Sequence, residues 1–206
     1  MSASILRRTH GYEGTEADDL NSIAEESDDA TLVLTAQSNP EAFSALYKRY
    51  LPRVYRYMRF RTATEEDAAD LTQLVFLRAF DRLGRYYERG APFSAWLFRI
   101  AGNLVADAHR RHKPTIAWER VAPEALRDPT DVEAAVMQSE ASSCLSRLLS
   151  GLPDDRRELL ALRFAGGLTA REIGHVVGKS EAAVHKQINR TLNALKGQYK
   201  EECGER

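Results

Sequence analysis

The sequence predicts an all-α chain built as two small helical domains joined by a flexible linker. Three observations predict it. Apolar residues recur at three- and four-residue steps over most of the chain, and no stretch alternates at strand period. Cap residues, prolines and glycines punctuate these stretches at helix-length intervals. Between two helical blocks lies an acidic stretch carrying Pro114, Pro123 and Pro129.

Residues 1–27 are polar, acidic and aperiodic, and are expected to be a disordered extension. Helical pattern starts after Asp28 with Leu32, Leu34 and Ala36. Ser38-Asn39-Pro40 is a cap with proline at a first helical position. Phe43, Leu46, Tyr47, Tyr50, Leu51, Val54, Tyr55 and Met58 then mark one long amphipathic helix. Thr64-Glu65-Glu66-Asp67 opens the next, its acids suited to the positive end of the helix dipole. Ala68, Leu71, Leu74, Val75, Leu77 and Phe80 are its expected apolar set. Gly84 to Pro92 reads as a loop, and Phe93, Trp96, Leu97, Ile100, Leu104 and Val105 as a third helix running into His109-Arg110-Arg111-His112-Lys113. Trp96 shares the stripe of Ile100 and Leu104 and is expected in the core.

This organisation gives a first domain over 28–113, a linker over 114–135, a second domain over 136–200 and a tail over 201–206. Net charge follows the same divisions. It is −4 over 1–27, +4 over 28–113, −3 over 114–150 and +2 over 151–206, for −1 in 206 residues. The mildly basic blocks can face phosphates; the acidic ones cannot. No apolar run reaches the roughly 18 residues of a membrane span, and the start has no apolar core of signal-peptide length. A cytoplasmic protein without membrane insertion is expected. Cys144 and Cys203 follow no ligand spacing and are expected to be free thiols there. His109 and His112 stand three apart, but no third ligand is spaced to join them and three cations flank them. They are expected to extend a basic end, with no metal and no cofactor.

The second block carries the most specific local grammar. Leu152-Pro153-Asp154-Asp155 begins a helix with Leu159, Leu160, Leu162 and Phe164 as its apolar set, and Gly166 and Gly167 stop it. Thr169-Ala170-Arg171-Glu172 is a capping box, with Ile173, Val176 and Val177 as the buried side of the helix it opens. Gly178 supplies a left-handed turn and Ser180 caps a longer helix, on which Val184, Ile188, Leu192 and Leu195 form one stripe. This is helix-turn-helix order, in which the second helix enters the major groove. Its polar residues Ser180, Glu181, His185, Lys186, Gln187, Asn189 and Arg190 suit that use, since arginine pairs with guanine and glutamine or asparagine with adenine. The bland alternative is a solvated face in a small bundle.

The combined pattern resembles bacterial sigma factors, specifically the two-domain extracytoplasmic-function (ECF) group. The stretches that carry it are AFSALYKRYLPRVYRYM, EEDAADLTQLVFLRAF, APFSAWLFRIAGNLVADAHRRHK, LSGLPDDRRELLALRFAGGLTAREIGHVVGKSEAAV and HKQINRTLNALK. The resemblance implies a non-enzymatic factor that binds core RNA polymerase through the β′ clamp helices and the β flap, and promoter DNA through two sites. It puts polymerase docking on Asp70, Gln73, Leu74 and Arg78. It puts the −10 element on the loop Arg85 to Phe93 and the following helix, with Tyr86 and Tyr87 as stacking faces and Arg99, Asn103, Arg110, Arg111 and Lys113 as donors. Asp107 is expected to pair locally. The helix from Ser180 to Arg190 would read the −35 element as duplex. An anti-sigma partner is also implied. Two places depart from the group's pattern: the loop GRYYERGAP, and His185 where arginine is common. Different base preferences are expected there. A stand-alone helix-turn-helix regulator, and a decoy that binds polymerase but no promoter, are the competing readings.

Overall fold

The structure is a computed structural model that describes residues 28–87, 90–111 and 143–203. Everything regular in those residues is helical. In chain order the helices are α1 (Asp29–Ser38), a 3-10 turn (Pro40–Ala42), α2 (Phe43–Arg61), α3 (Glu65–Leu83), α4 (Phe93–Arg111), α5 (143–150), α6 (Asp154–Leu160) continued by a π-helical turn (Ala161–Ala165), α7 (Ala170–Val177) and α8 (Glu181–Cys203). The expected linker and the expected disordered extension lie outside the described residues.

Contacts divide the chain into two compact units at Arg49 and Tyr50, inside α2. In the first, Asp28 caps α1 by accepting from the Thr31 N–H at 2.8 Å, a bond that holds the Asp28 carboxyl below its usual range. Arg49 pairs with Asp29 at 2.8 Å. Leu32, Val33 and Ala36 are buried, whereas Leu34 faces outward rather than joining the expected stripe.

The second unit holds the rest of α2 and everything after it. Tyr50, Val54, Tyr57 and Met58 are buried on α2, Leu97, Phe98, Leu104 and Val105 on α4. Ring contacts order this core: Tyr50 meets Phe93 edge-on with centroids 5.4 Å apart, and Tyr57 meets Phe98 at 5.4 Å. Helices α3 and α4 pack together, α4 packs on α7, and α6 and α7 both pack on α8.

On α3 the inner face is Ala68, Leu71, Thr72, Val75, Phe76, Ala79 and Leu83. Three of the apolar residues expected on that stripe turn outward instead: Leu74 is 40%, Leu77 61% and Phe80 45% exposed. The helix is apolar on two neighbouring faces, and periodicity does not choose between them. In the second block Phe164 and Leu192 are likewise exposed, and the inner stripe of α8 is completed by Thr191, whose hydroxyl donates to the Gln187 carbonyl at 2.8 Å.

Polar contacts join α2 and α4 to the chain after α5. The Tyr57 hydroxyl donates to both Glu158 carboxylate oxygens, at 2.7 and 3.0 Å. Arg61, only 3% exposed, pairs with Asp154 at 3.0 Å and Glu158 at 3.2 Å. Burial pushes the Glu158 carboxyl above its usual range, with Arg61 opposing; burial, then the Glu158 charge, pushes Tyr57 well up. Arg53 donates to the carbonyls of Gly166 (2.9 Å) and Gly167 (3.2 Å), its guanidinium lying over the Tyr50 ring. Gly166 is required there: a Cβ would stand 2.8 Å from the Phe98 ring.

Cys144 and Cys203 are not free thiols but a disulfide, with Cα atoms 6.5 Å apart across a sequence separation of 59 residues. The Arg147–Glu202 ion pair at 3.0 Å ties the same two segments. The bond therefore encloses the whole helix-turn-helix. Closing a loop of this length contributes about 4 kcal/mol in the unfolded-chain entropy model. Adding a phosphine reductant is expected to lower the thermal midpoint by roughly 10 °C. Scanning calorimetry of the wild type and Cys144→Ser with and without reductant checks it; a midpoint that ignores reductant rejects the stabilising role.

Candidate nucleic-acid interface

The turn of the helix-turn-helix follows from local chemistry. The Thr169 hydroxyl accepts from the Glu172 N–H at 3.2 Å, and the Glu172 carboxylate accepts from the Thr169 N–H at 2.7 Å, closing the expected capping box. Burial alone would raise the Glu172 carboxyl, but the Ser94 hydroxyl and the Thr169 donors outweigh it and hold it low. Gly178 ends α7 at φ +70°, the left-handed turn residue read from the sequence. A second glycine matters as much: a Cβ on Gly174 would stand 2.6 Å from the Lys179 carbonyl. The Ser180 hydroxyl then accepts from the Ala183 N–H at 3.3 Å and starts α8.

Val184 and Ile188 are buried, which turns His185, Lys186, Asn189 and Arg190 outward together. Asn193 continues this face one turn on, a position that sequence reading missed although the three- and four-residue spacing from Asn189 and Arg190 points to it. Glu181 is exposed, 3.9 Å from the His185 ring. Gln187 stands apart from the group. It is half-buried, donates to Asp155 at 2.9 Å and accepts from Lys179 at 2.7 Å. Its amide is used inside the helix-turn-helix.

The second candidate face lies on α4 and the loop before it. Tyr87 is 70% exposed and offers an open ring. Tyr86 is not the open stacking face expected from sequence. It is 8% exposed, its ring lies 5.7 Å from Phe93 and 5.0 Å from Trp96, and its hydroxyl donates to the Ala91 carbonyl at 3.1 Å. Tyr86 shapes the loop from beneath. Trp96 is half-buried against Tyr86 and Phe93. Asn103 is exposed one turn after Arg99, whose guanidinium donates to the His175 carbonyl. Arg110 is exposed and pairs with Asp107. Arg111 closes α4, while Lys113 and His112 lie outside the described residues. His109 is not simply part of a basic end: its Nε2 lies 3.2 Å from the Arg61 carbonyl. Among the described residues no cluster of three His, Cys, Asp or Glu side chains could hold a metal, and no helix is long and apolar enough to cross a membrane.

A third surface is the outer side of α3. Leu74, Leu77 and Phe80 form an exposed apolar row bordered by exposed Asp70 and Gln73 and half-buried Arg78. A bare apolar centre with a polar rim is the anatomy of a protein interface.

These features define an all-helical protein with a helix-turn-helix and an exposed apolar row on α3. Comparison with known proteins gives the family. The Sigma-70 region 2 profile matches residues 46–115 and the Sigma-70 region 4 profile residues 142–195, together more than half of the chain. The ECF RNA polymerase sigma factor BldN of Streptomyces coelicolor is 36% identical over 169 residues, which cover 80% of this chain and 63% of BldN. SigD of Mycobacterium tuberculosis is 34% identical over 173 residues, covering 82% of each chain. The solved structure of CnrH in complex with the cytosolic domain of CnrY superposes with a TM-score of 0.62 at 25% identity, over 84% of this chain and 98% of CnrH. The sigma factor RpoE, solved with the anti-sigma factor NepR from Bartonella quintana, shares the fold with a TM-score of 0.56 at 20% identity, over 78% of this chain and 98% of RpoE. The chain belongs to the ECF RNA polymerase sigma factors. It is an alternative sigma factor, a transcription initiation factor by family.

Proposed function

We propose that this chain docks on core RNA polymerase through the outer face of α3 and places two DNA-reading faces on one promoter. The row Leu74, Leu77 and Phe80, with Asp70, Gln73 and Arg78 around it, meets the β′ clamp helices. Exposed Phe164, on the π-helical turn, is the apolar point for the β flap. Tyr87, Arg99, Asn103 and the basic end of α4 hold the opened −10 strand by stacking and backbone contact. The face of His185, Lys186, Asn189, Arg190 and Asn193 reads −35 duplex in the major groove. The chain itself catalyses nothing; the polymerase makes the RNA, and its cytoplasm is where the factor works. A partner of the anti-sigma type completes the proposal, as does a division into the domains 28–113 and 136–200.

The observation that carries the proposal is the α3 row. A stand-alone regulator would use such a surface to pair with a second copy of itself, whereas a polymerase subunit uses it to reach the enzyme. Neither DNA face needs to bind strongly alone, because polymerase fixes their spacing and raises the effective concentration of each. Run-off transcription with core polymerase over a genomic promoter library tests this. Defined start sites are expected only when both polymerase and this chain are present. A footprint on a palindromic site without polymerase, and no new start sites with it, would reject the proposal in favour of a stand-alone regulator.

A further inference from the structure

We infer that the Cys144–Cys203 pair is a site of reversible exchange with low-molecular-weight thiols and disulfides, and that its state decides how firmly the −35-reading helices are held together. The inference rests on the proposed function for its setting. A factor that works beside polymerase in the cytoplasm sits among reduced thiols, where disulfides are rare and those that form are usually transient. The two sulfurs are within reach of a small reactant. Cys144, near the start of α5, and Cys203, the last residue of α8, are both only half-buried, and both members of the Arg147–Glu202 ion pair beside them are exposed. Exposed disulfides are the labile ones, whereas purely structural ones resist reduction by the glutathione pool.

The bond also joins two segments with little apolar burial of their own. Leu148 is the only buried residue of α5, and no residue of α8 after Leu195 is buried. Val184, Ile188, Thr191 and Leu195, the buried side of α8, all lie before that point. The Arg147–Glu202 pair is bathed in solvent, and an exposed ion pair holds little by itself. With the bond open, α5 and residues 196–203 are the part of the helix-turn-helix domain that unfolds first.

The surroundings also select the order of events. The Arg147 guanidinium donates to the Cys144 sulfur at 3.8 Å. A small thiolate attacks the Cys203 sulfur, the bond between the two cysteines breaks, and Cys144 leaves with its negative charge facing that cation. A second small thiolate attacks the outer sulfur of the mixed disulfide on Cys203, and Cys203 leaves in turn. Two electrons pass to the protein pair, the two small thiols become one small disulfide, and their protons reach the two protein thiols through water. Oxidation by the small disulfide runs the same steps backwards.

The test uses the full wild-type chain, so it does not depend on a variant that folds. Protein equilibrated in mixtures of reduced and oxidised glutathione across the cytosolic poise is quenched with N-ethylmaleimide and weighed by mass spectrometry. Half-conversion inside that range is the expected result. A pair that stays bonded, or stays open, over the whole range overturns the exchange. Hydrogen exchange on the oxidised and reduced forms reads the holding role: reduction must remove amide protection from residues 143–150 and 196–203, and unchanged protection there overturns it. Arg147→Gln is expected to slow reduction by roughly threefold, while Glu202→Gln, which breaks the ion pair and keeps the cation, leaves the rate as it was. Equal rates in the two variants overturn the part given to Arg147. Run-off from a −35-dependent promoter, at a temperature midway between the two melting midpoints, is expected to be roughly tenfold stronger with the oxidised form. Equal initiation overturns the link to −35 reading. Failure of the sigma-factor reading itself appears separately, as absence of start sites with either form, and leaves the mass and hydrogen-exchange readouts standing.

Discussion

Leu77→Asp is expected to abolish binding to core RNA polymerase while leaving the fold intact. Leu77 is the centre of the α3 row, with Leu74 three residues before it and Phe80 three after, and at 61% exposed it is the most open of the three. Its side chain contributes little to the core, so substitution changes stability by only about 0.5 kcal/mol, as at other surface sites. At a docked interface the same carboxylate would sit in the dry centre, where hot-spot losses run at roughly 2–4 kcal/mol. That corresponds to a fall in affinity of roughly 30- to 1,000-fold. Fluorescence anisotropy with core polymerase, beside a thermal melt, separates the two effects. Wild-type affinity in a folded Leu77→Asp protein would remove α3 from the docking surface. A parallel Val75→Asp substitution should behave oppositely and unfold the protein, because Val75 is fully buried.

The α3 row also shows where sequence reading stops. Caps are local, so Thr169 with Glu172, the left-handed Gly178 and the cap at Thr64 could be read from neighbouring residues, and each is in place. The inward side of α3 could not. Leu71, Val75 and Ala79 make one helical stripe and Leu74, Leu77 and Phe80 another, and only the neighbours decide which is covered. Tyr86 looks like an open ring in a loop sequence; its burial depends on Phe93 and Trp96, brought over it by the turn. Gly174 looks like an ordinary helix residue until the Lys179 carbonyl arrives at its α-carbon. The Cys144–Cys203 bond depends on the full length of α8 carrying Cys203 back to the start of α5. The Tyr57–Glu158 contact joins residues 101 apart, beyond the reach of any periodicity. The polar face of α8 was legible because a buried stripe of Val184 and Ile188 dictates what lies opposite. The exception was Gln187, drawn inward by Asp155 and Lys179.

Lys186→Glu is the sharpest expected loss at the DNA. Lys186 is exposed in the second turn of α8, near the end of the helix that the proposed function places in a major groove. Reversing its charge places a carboxylate among phosphates, removing one attraction and adding one repulsion. A fall of roughly 100-fold in −35-dependent initiation is expected, equivalent to about 2.7 kcal/mol. Lys186→Ala removes only the attraction and should cost about tenfold. The salt dependence then identifies the contact. If Lys186 holds a phosphate, Lys186→Ala weakens all −35 variants alike and lowers the slope of log affinity against log salt by about 1. If it reads a base edge, the loss concentrates at one base pair and the slope holds. Gln187→Ala is the internal contrast: its amide is spent on Asp155 and Lys179, so it should lower the thermal midpoint more than promoter selectivity. Full initiation by Lys186→Glu at a −35-dependent promoter would mean that the bare face of α8 is not in the groove, and the helix would have to be rotated about its axis in any account of recognition.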